Sequence, residues 1–160
     1  MRRAFNEANS HPKGPVYVGF TANALEGIAE MNIVPSTKIH NDVLPNPVGI
    51  SEAVELLSQA KNPVLMVGDR VSDDAAIKEA IEIAELLGMA VFQSRGAEVS
   101  FPTNHPQYYG IHSLRVQKSR ELLKEFDVVL SVGMDAFDEL FYWGDVILSD
   151  TQKLIHIDPI

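Results

Sequence analysis

The feature that most constrains the fold is an alternation of two patterns. Short apolar runs recur along the chain: Val64-Leu65-Met66-Val67, Ala90-Val91-Phe92, Asp127–Gly133 and Leu154–Asp158. A run that is apolar at nearly every position has no solvent face, which is the mark of a parallel strand covered on both sides. Between the runs lie stretches with helical spacing. Ser51 is a candidate N-cap, followed by Ala53, Val54, Leu57 and Ala60 on one face, and Asn62-Pro63 stops that helix. Ser72 is the next candidate cap, with Asp73 and Asp74 suited to a positive helix end. Ile77, Ala80, Ile81, Ala84 and Leu87 then form an apolar stripe that Gly88 closes as a left-handed cap. A third helix over Leu114–Phe126 has partial support from Leu114, Gln117, Leu122 and Phe126. Strands and helices in alternation predict an open, doubly wound parallel α/β sheet, Rossmann-like, with right-handed crossovers.

The first fifty residues have a different texture. Ala4, Phe5 and Ala8 suit a short helix over 2–9, and Gly14-Pro15 breaks it. Val16-Tyr17-Val18 reads as a strand. Residues 21–50, with Pro35, Pro45 and Pro47, read as a linker with a weak helix near Asn23–Met31. A second irregular stretch, Ser94–Ser113, reads as one long loop and contains FPTNHPQYYG at Phe101–Gly110.

Composition excludes several function classes. The net charge of −9 opposes phosphate backbones and argues against a nucleic-acid partner. With no cysteine there is no disulfide, thiolate metal site or cysteine nucleophile. No apolar run reaches the roughly 18 residues that cross a bilayer, and no apolar core follows the basic N-terminus, so a cytoplasmic location is expected and no membrane partner.

In a doubly wound sheet, ligands sit beyond the carboxyl ends of the strands. Those ends are Gly68-Asp69-Arg70, Gln93-Ser94-Arg95-Gly96, Gly133-Met134-Asp135 and Asp158-Pro159. The candidates for contacting a nucleotide there are Gly68, Arg70, Arg95, Gly133, Met134 and Asp158. Gly68 after an apolar strand has the right topology for a pyrophosphate, but G-x-G-x-x-G and the P-loop lysine are absent. Asp69, Asp73 and Asp74 would repel an anion, with Arg70 as partial relief. Glycine as a plain strand terminator is the competing account. Asp158 could accept from a ribose hydroxyl, or be an ordinary strand-end carboxylate. The five histidines have no metal-ligand spacing. His105 and His112 share the long loop without a nucleophile beside them, and a turn role hydrogen-bonded to loop backbone competes with proton transfer for His105. His156 is expected to pack under a helix. Phe137, Phe141, Tyr142 and Trp143 could stack a flavin or adenine, although aromatics at helical spacing more often form core or interface.

Several segments, in order, resemble the thiamine-diphosphate-dependent enzymes of the acetolactate synthase and benzoylformate decarboxylase type. GPVYVGF at 14–20 looks like the closing strand of their pyrimidine-binding domain. NPVLMVGDRV at 62–71, FPTNHPQYYG at 101–110, FDVVLSVGMDAF at 126–137 and KLIHIDPI at 153–160 look like their middle domain. The resemblance divides the chain into a remnant of the preceding domain at 1–20, a linker at 21–50 and a central Rossmann-like domain at 51–160, incomplete at its C-terminus. It implies a parent with thiamine diphosphate and Mg²⁺ bound between its first and third domains, a lyase or transferase acting on 2-oxo acids. The glutamate and the G-D-G motif with asparagines that hold that cofactor have no match here, so the chain alone is expected to hold no cofactor and to be inactive. Its expected partners are the parent's pyrimidine- and diphosphate-binding domains and further copies of itself. The family's middle domains bind FAD, ADP or no nucleotide. The flavin-contacting glycines are not reproduced, which favours the nucleotide-free decarboxylase type over an FAD or ADP module. The active-site histidine of the benzoylformate type falls on Leu140, which argues against benzoylformate itself as the substrate.

Overall fold

The computed structural model describes residues 1–10, 13–34, 44–95, 98–113, 116–135 and 147–158. The expected aromatic segment at 137–143 lies outside them, as do Gly96, Leu140 and Pro159. The chain divides into two units, Met1–Leu44 with 159–160, and Pro45–Asp158.

The first unit holds two short helices, α1 (Arg2–Asn9) and α2 (Ala22–Glu26), neither with a buried residue. The helix expected near Asn23–Met31 is therefore shorter and starts one residue earlier. Val16–Val18 forms no strand: Tyr17 is 95% exposed, and β-branched residues without a partner strand have no ladder to join.

The second unit contains α3 (Pro47–Gln59), β1 (Pro63–Val67), α4 (Asp69–Asp73), α5 (Ile77–Leu87), β2 (Ala90–Ser94), β3 (Tyr108–His112), α6 (Gln117–Leu123), β4 (Val128–Val132) and β5 (Lys153–Ile157). The five strands form one all-parallel sheet in the order β3-β2-β1-β4-β5. The chain winds outward from β1 to β3, then returns to the other side of β1 for β4 and β5. The boundary between β1 and β4 is thus the topological switch point.

Strand periodicity sorts the core into two layers. Leu65, Val67, Val91, Val128, Leu130 and Ile155 face one side and meet Ala53 and Leu57 of α3 and Ala80 and Ala84 of α5. Val64, Met66, Phe92 and Val129 face the other side and meet Leu123 of α6 and Phe126. Every residue of β1 is buried, as its unbroken apolar run predicts. Gly88 closes α5 in the left-handed conformation, with φ of 64°. Among the described residues, every buried side-chain nitrogen or oxygen has a hydrogen-bond partner.

Four local expectations change. The helix expected over Leu114–Phe126 is the shorter α6, and Leu114 lies outside the described residues. The cap of α3 is Asn46, whose side chain accepts from the Val48 N–H at 3.0 Å with Pro47 in the first turn. Ser51 lies inside the helix and its hydroxyl donates to the Pro47 carbonyl. Ser72 caps nothing, because Asp69–Asp73 form the separate helix α4. Asp73 and Asp74 therefore stand at the C-terminal end of α4 and precede the α5 N-cap, Ala76, rather than lying in the first turn of α5. The stretch Ser94–Ser113 is not all loop, since Tyr108–His112 within it are the edge strand β3.

Candidate functional site

At the carboxyl edge, β1 and β4 deliver Gly68 and Gly133 to the switch point. A Cβ built on Gly68 would lie 2.4 Å from the Gly133 carbonyl oxygen and 2.4 Å from the Met134 Cβ. A Cβ on Gly133 would lie 2.8 Å from the Val71 nitrogen and 3.1 Å from the Arg70 Cβ. The glycines are there because backbone packs on backbone. Gly133 also has φ of +62°, which favours glycine. Hydrogen bonds close the junction: Gly68 N–H donates to Val132 O at 3.1 Å, Arg70 N–H to Gly133 O at 3.1 Å, and Gly133 N–H to Ile157 O at 3.0 Å.

Arg70 lies over this junction. Its Nε donates to Asp158 Oδ2 at 2.8 Å and its Nη2 to Asp135 Oδ1 at 2.7 Å. The Asp158 side chain is 1% exposed and that of Asp135 65%. Burial works against the Arg70 charge, but hydrogen bonds to Asp135 and Asp158, and their charges, outweigh it. The guanidinium is held above its ordinary pKa.

Five of the six sequence candidates, Gly68, Arg70, Gly133, Met134 and Asp158, therefore meet at one place. Arg95 stands apart, exposed at the end of β2 on the far side of β1 from β4. Asp135 belongs to the cluster and was not among the candidates; its place two residues after Gly133 was the available signal. Asp69 lies exposed in the first turn of α4. The chemistry of this donor set does not fit a diphosphate. The Arg70 N–H is already taken by Gly133 O, and one guanidinium faces the carboxylates of Asp135 and Asp158. Among the described residues no group of three or more His, Asp or Glu side chains could hold a metal ion.

The histidines have structural partners. His105 Nδ1 accepts from the Gln107 N–H at 3.3 Å, which makes Nε2 the protonated nitrogen facing Glu85 Oε1 at 3.3 Å. Its ring meets the buried Phe101 edge to face, with centroids 5.1 Å apart. Gln107 donates to Ala84 O at 2.7 Å and Met89 O at 2.9 Å. The Pro102–Gln107 part of the loop is thus pinned at the α5–β2 turn, on the amino edge of the sheet, opposite the candidate site. His112 is buried with Nε2 3.2 Å from Ser119 O. His156 does not pack under a helix: it is exposed on β5, with Nδ1 3.2 Å from the Ser131 hydroxyl of the paired β4 position.

A second carboxylate of consequence, Asp127, was not singled out from the sequence because its partners are more than sixty residues away. It accepts from Lys61 N–H at 2.6 Å and Asn62 N–H at 3.0 Å, tying the entrance of β1 to that of β4. Burial pushes its pKa up, but backbone N–H donors, those of Lys61 and Asn62 first, hold it below the usual value.

Known proteins share this architecture. The chain is 29% identical over 140 residues to the benzoylformate decarboxylase of Pseudomonas aeruginosa, covering 86% of this chain and 26% of that protein. It is 28% identical over 166 residues to a probable acetolactate synthase large subunit of Methanococcus aeolicus, covering 99% of this chain and 27% of that one. The solved thiamine diphosphate-dependent 4-hydroxybenzoylformate decarboxylase of Rhodococcus jostii superposes with a TM-score of 0.81 at 28% identity, covering 98% of this chain and 30% of that chain. The chain thus spans about a quarter of the length of the curated relatives it matches. With residues 50–160 matching the thiamine pyrophosphate enzyme central domain, the chain belongs to that family.

Proposed function

We propose that this chain is the structural, nucleotide-free central region of a thiamine-diphosphate-dependent enzyme acting on 2-oxo acids, a decarboxylase or carboligase. The observation that carries the reading is the Gly133–Met134 peptide lying on Gly68, where a ligand at the switch point would enter. Thiamine diphosphate and Mg²⁺ would be held by pyrimidine- and diphosphate-binding domains outside residues 1–160, so the chain alone turns over no substrate. Residues 1–20 would end the preceding domain and 21–50 would link it to the central domain. In support, the first unit exposes Tyr17, Leu25, Ile28, Met31 and Ile33 and buries none of its described residues. Apolar surface of that extent points to cover by a neighbouring domain or a second copy, and a homo-oligomer is part of the reading. So is a cytoplasmic location; among the described residues no helix is long and apolar enough to cross a membrane.

Thermal melts of the chain with FAD, ADP and CoA test the nucleotide-free reading. A ligand at 100 times its Kd would add about 2.7 kcal/mol, several degrees in Tm. The expected result is no shift at millimolar nucleotide, and a saturable shift would refute the reading. Carbon dioxide release from a 2-oxo acid by the chain alone would refute the claim that catalysis lies elsewhere.

A further inference from the structure

We infer that Arg70 is the built-in occupant of the ligand crevice: its guanidinium, in place of a bound molecule, latches together the carboxyl ends of β1, β4 and β5. The inference rests on the nucleotide-free reading above. In open α/β sheets a bound ligand commonly bridges strands at the switch point. Here Arg70 makes the bridging contacts. The Arg70 backbone N–H holds β4 through Gly133 O at 3.1 Å. Its Nε holds Asp158, directly after β5, at 2.8 Å, and its Nη2 holds Asp135, after β4, at 2.7 Å. Arg70 itself follows β1 by three residues, so one side chain spans three neighbouring strand ends. The planar guanidinium suits this better than an ammonium, since it presents fixed donors in two directions.

The asymmetry of the two acids gives the latch its direction. Asp135 is largely in water and loses little if released. The Asp158 side chain is 1% exposed, and a carboxylate so buried needs a cation. Arg70 thus acts less as a surface ion pair than as a counter-ion to the buried Asp158.

The test uses Arg70→Ala, Arg70→Lys, Asp158→Asn and the Arg70→Ala/Asp158→Asn double variant of the whole chain. Arg70→Ala is expected to lower Tm by roughly 10 °C and to speed amide exchange at Gly68 and Gly133. Arg70→Lys should recover only part of the loss. The double variant should melt above Arg70→Ala, because the buried carboxylate charge that Arg70 faced is gone as well. Millimolar guanidinium ion should raise the Tm of Arg70→Ala and leave those of wild type and the double variant unraised. The inference is overturned if Arg70→Ala melts and exchanges like wild type, or if guanidinium fails to rescue it. Should Arg70→Ala fail to fold, the double variant decides: exchange at Gly68 and Gly133 as slow as in wild type overturns the latch. Wild-type melts with FAD and ADP run alongside, so failure of the nucleotide-free reading registers separately from failure of the latch.

Discussion

Replacing Gly68 by alanine isolates the closure of the switch point. Gly68 has φ of −123° and ψ of −172°, an extended conformation open to any residue, so alanine brings no backbone strain. It brings a methyl group 2.4 Å from a carbonyl oxygen, 2.4 Å from the Met134 Cβ and 2.8 Å from the Met134 Cα. These neighbours are main chain or its first side-chain carbon, and rotation of a side-chain tip relieves none of them. Overpacking a tight site costs about 1–3 kcal/mol, and a backbone wall puts Gly68→Ala at the upper end, about 3 kcal/mol. For a unit of this size that is a fall of roughly 10 °C in Tm. Gly88→Ala is the control, because Gly88 has φ of +64° and nothing within 4 Å of its added Cβ. It carries the left-handed penalty alone, about 1–2 kcal/mol. Gly133→Ala combines both effects, with φ of +62° and the Val71 nitrogen 2.8 Å away, and should be the most damaging. Urea denaturation with a shared slope gives the three values. Gly68→Ala as mild as Gly88→Ala, or within about a degree of wild type in Tm, would mean that β1 and β4 do not touch here and would refute the closed switch point.

Two further perturbations address the amino edge. Asp127→Asn should cost about 1–2 kcal/mol near neutral pH, with solvent screening holding it to that range, because a carboxylate accepting from Lys61 and Asn62 is lost. The folded pKa of Asp127 lies below its unfolded value, so its contribution is complete above the unfolded pKa of about 3.9 and fades as pH falls through the folded one. The gap between wild type and Asp127→Asn in urea midpoints should therefore close in that acid range; a gap constant with pH would contradict the assignment. Gln107→Leu removes the donor to Ala84 O and Met89 O and should cost about 2 kcal/mol, with faster exchange around the α5–β2 turn. Unchanged exchange there would show that the loop does not anchor that turn.

What was legible in the sequence was local. Val64–Val67 and Val128–Val132 announce central strands because burial on both faces demands apolar residues at every position, and both runs are largely buried. Gly88 announces a helix end because few residues tolerate its dihedral angles. Segments in order from 14–20 to 153–160 carried the family resemblance, and the candidate list found five members of the carboxyl-edge cluster because strand ends are where a parallel sheet presents its glycines. Edge strand β3 was hidden for the converse reason: Tyr108-Tyr109-Gly110-Ile111-His112 is half exposed, so it shows no continuous apolar run and reads as the end of a proline-containing loop. Asn46 was overlooked as the α3 cap because Pro47, a sound first-turn residue, reads equally well as linker. Only the tertiary structure decided whether the carboxyl edge is open or closed. That answer depends on Arg70 meeting Asp158, 88 residues away, and on the Gly133–Met134 peptide filling the space a Gly68 side chain would need. Local preference carries no record of such encounters, because the same glycines and the same arginine would serve equally well beside a ligand.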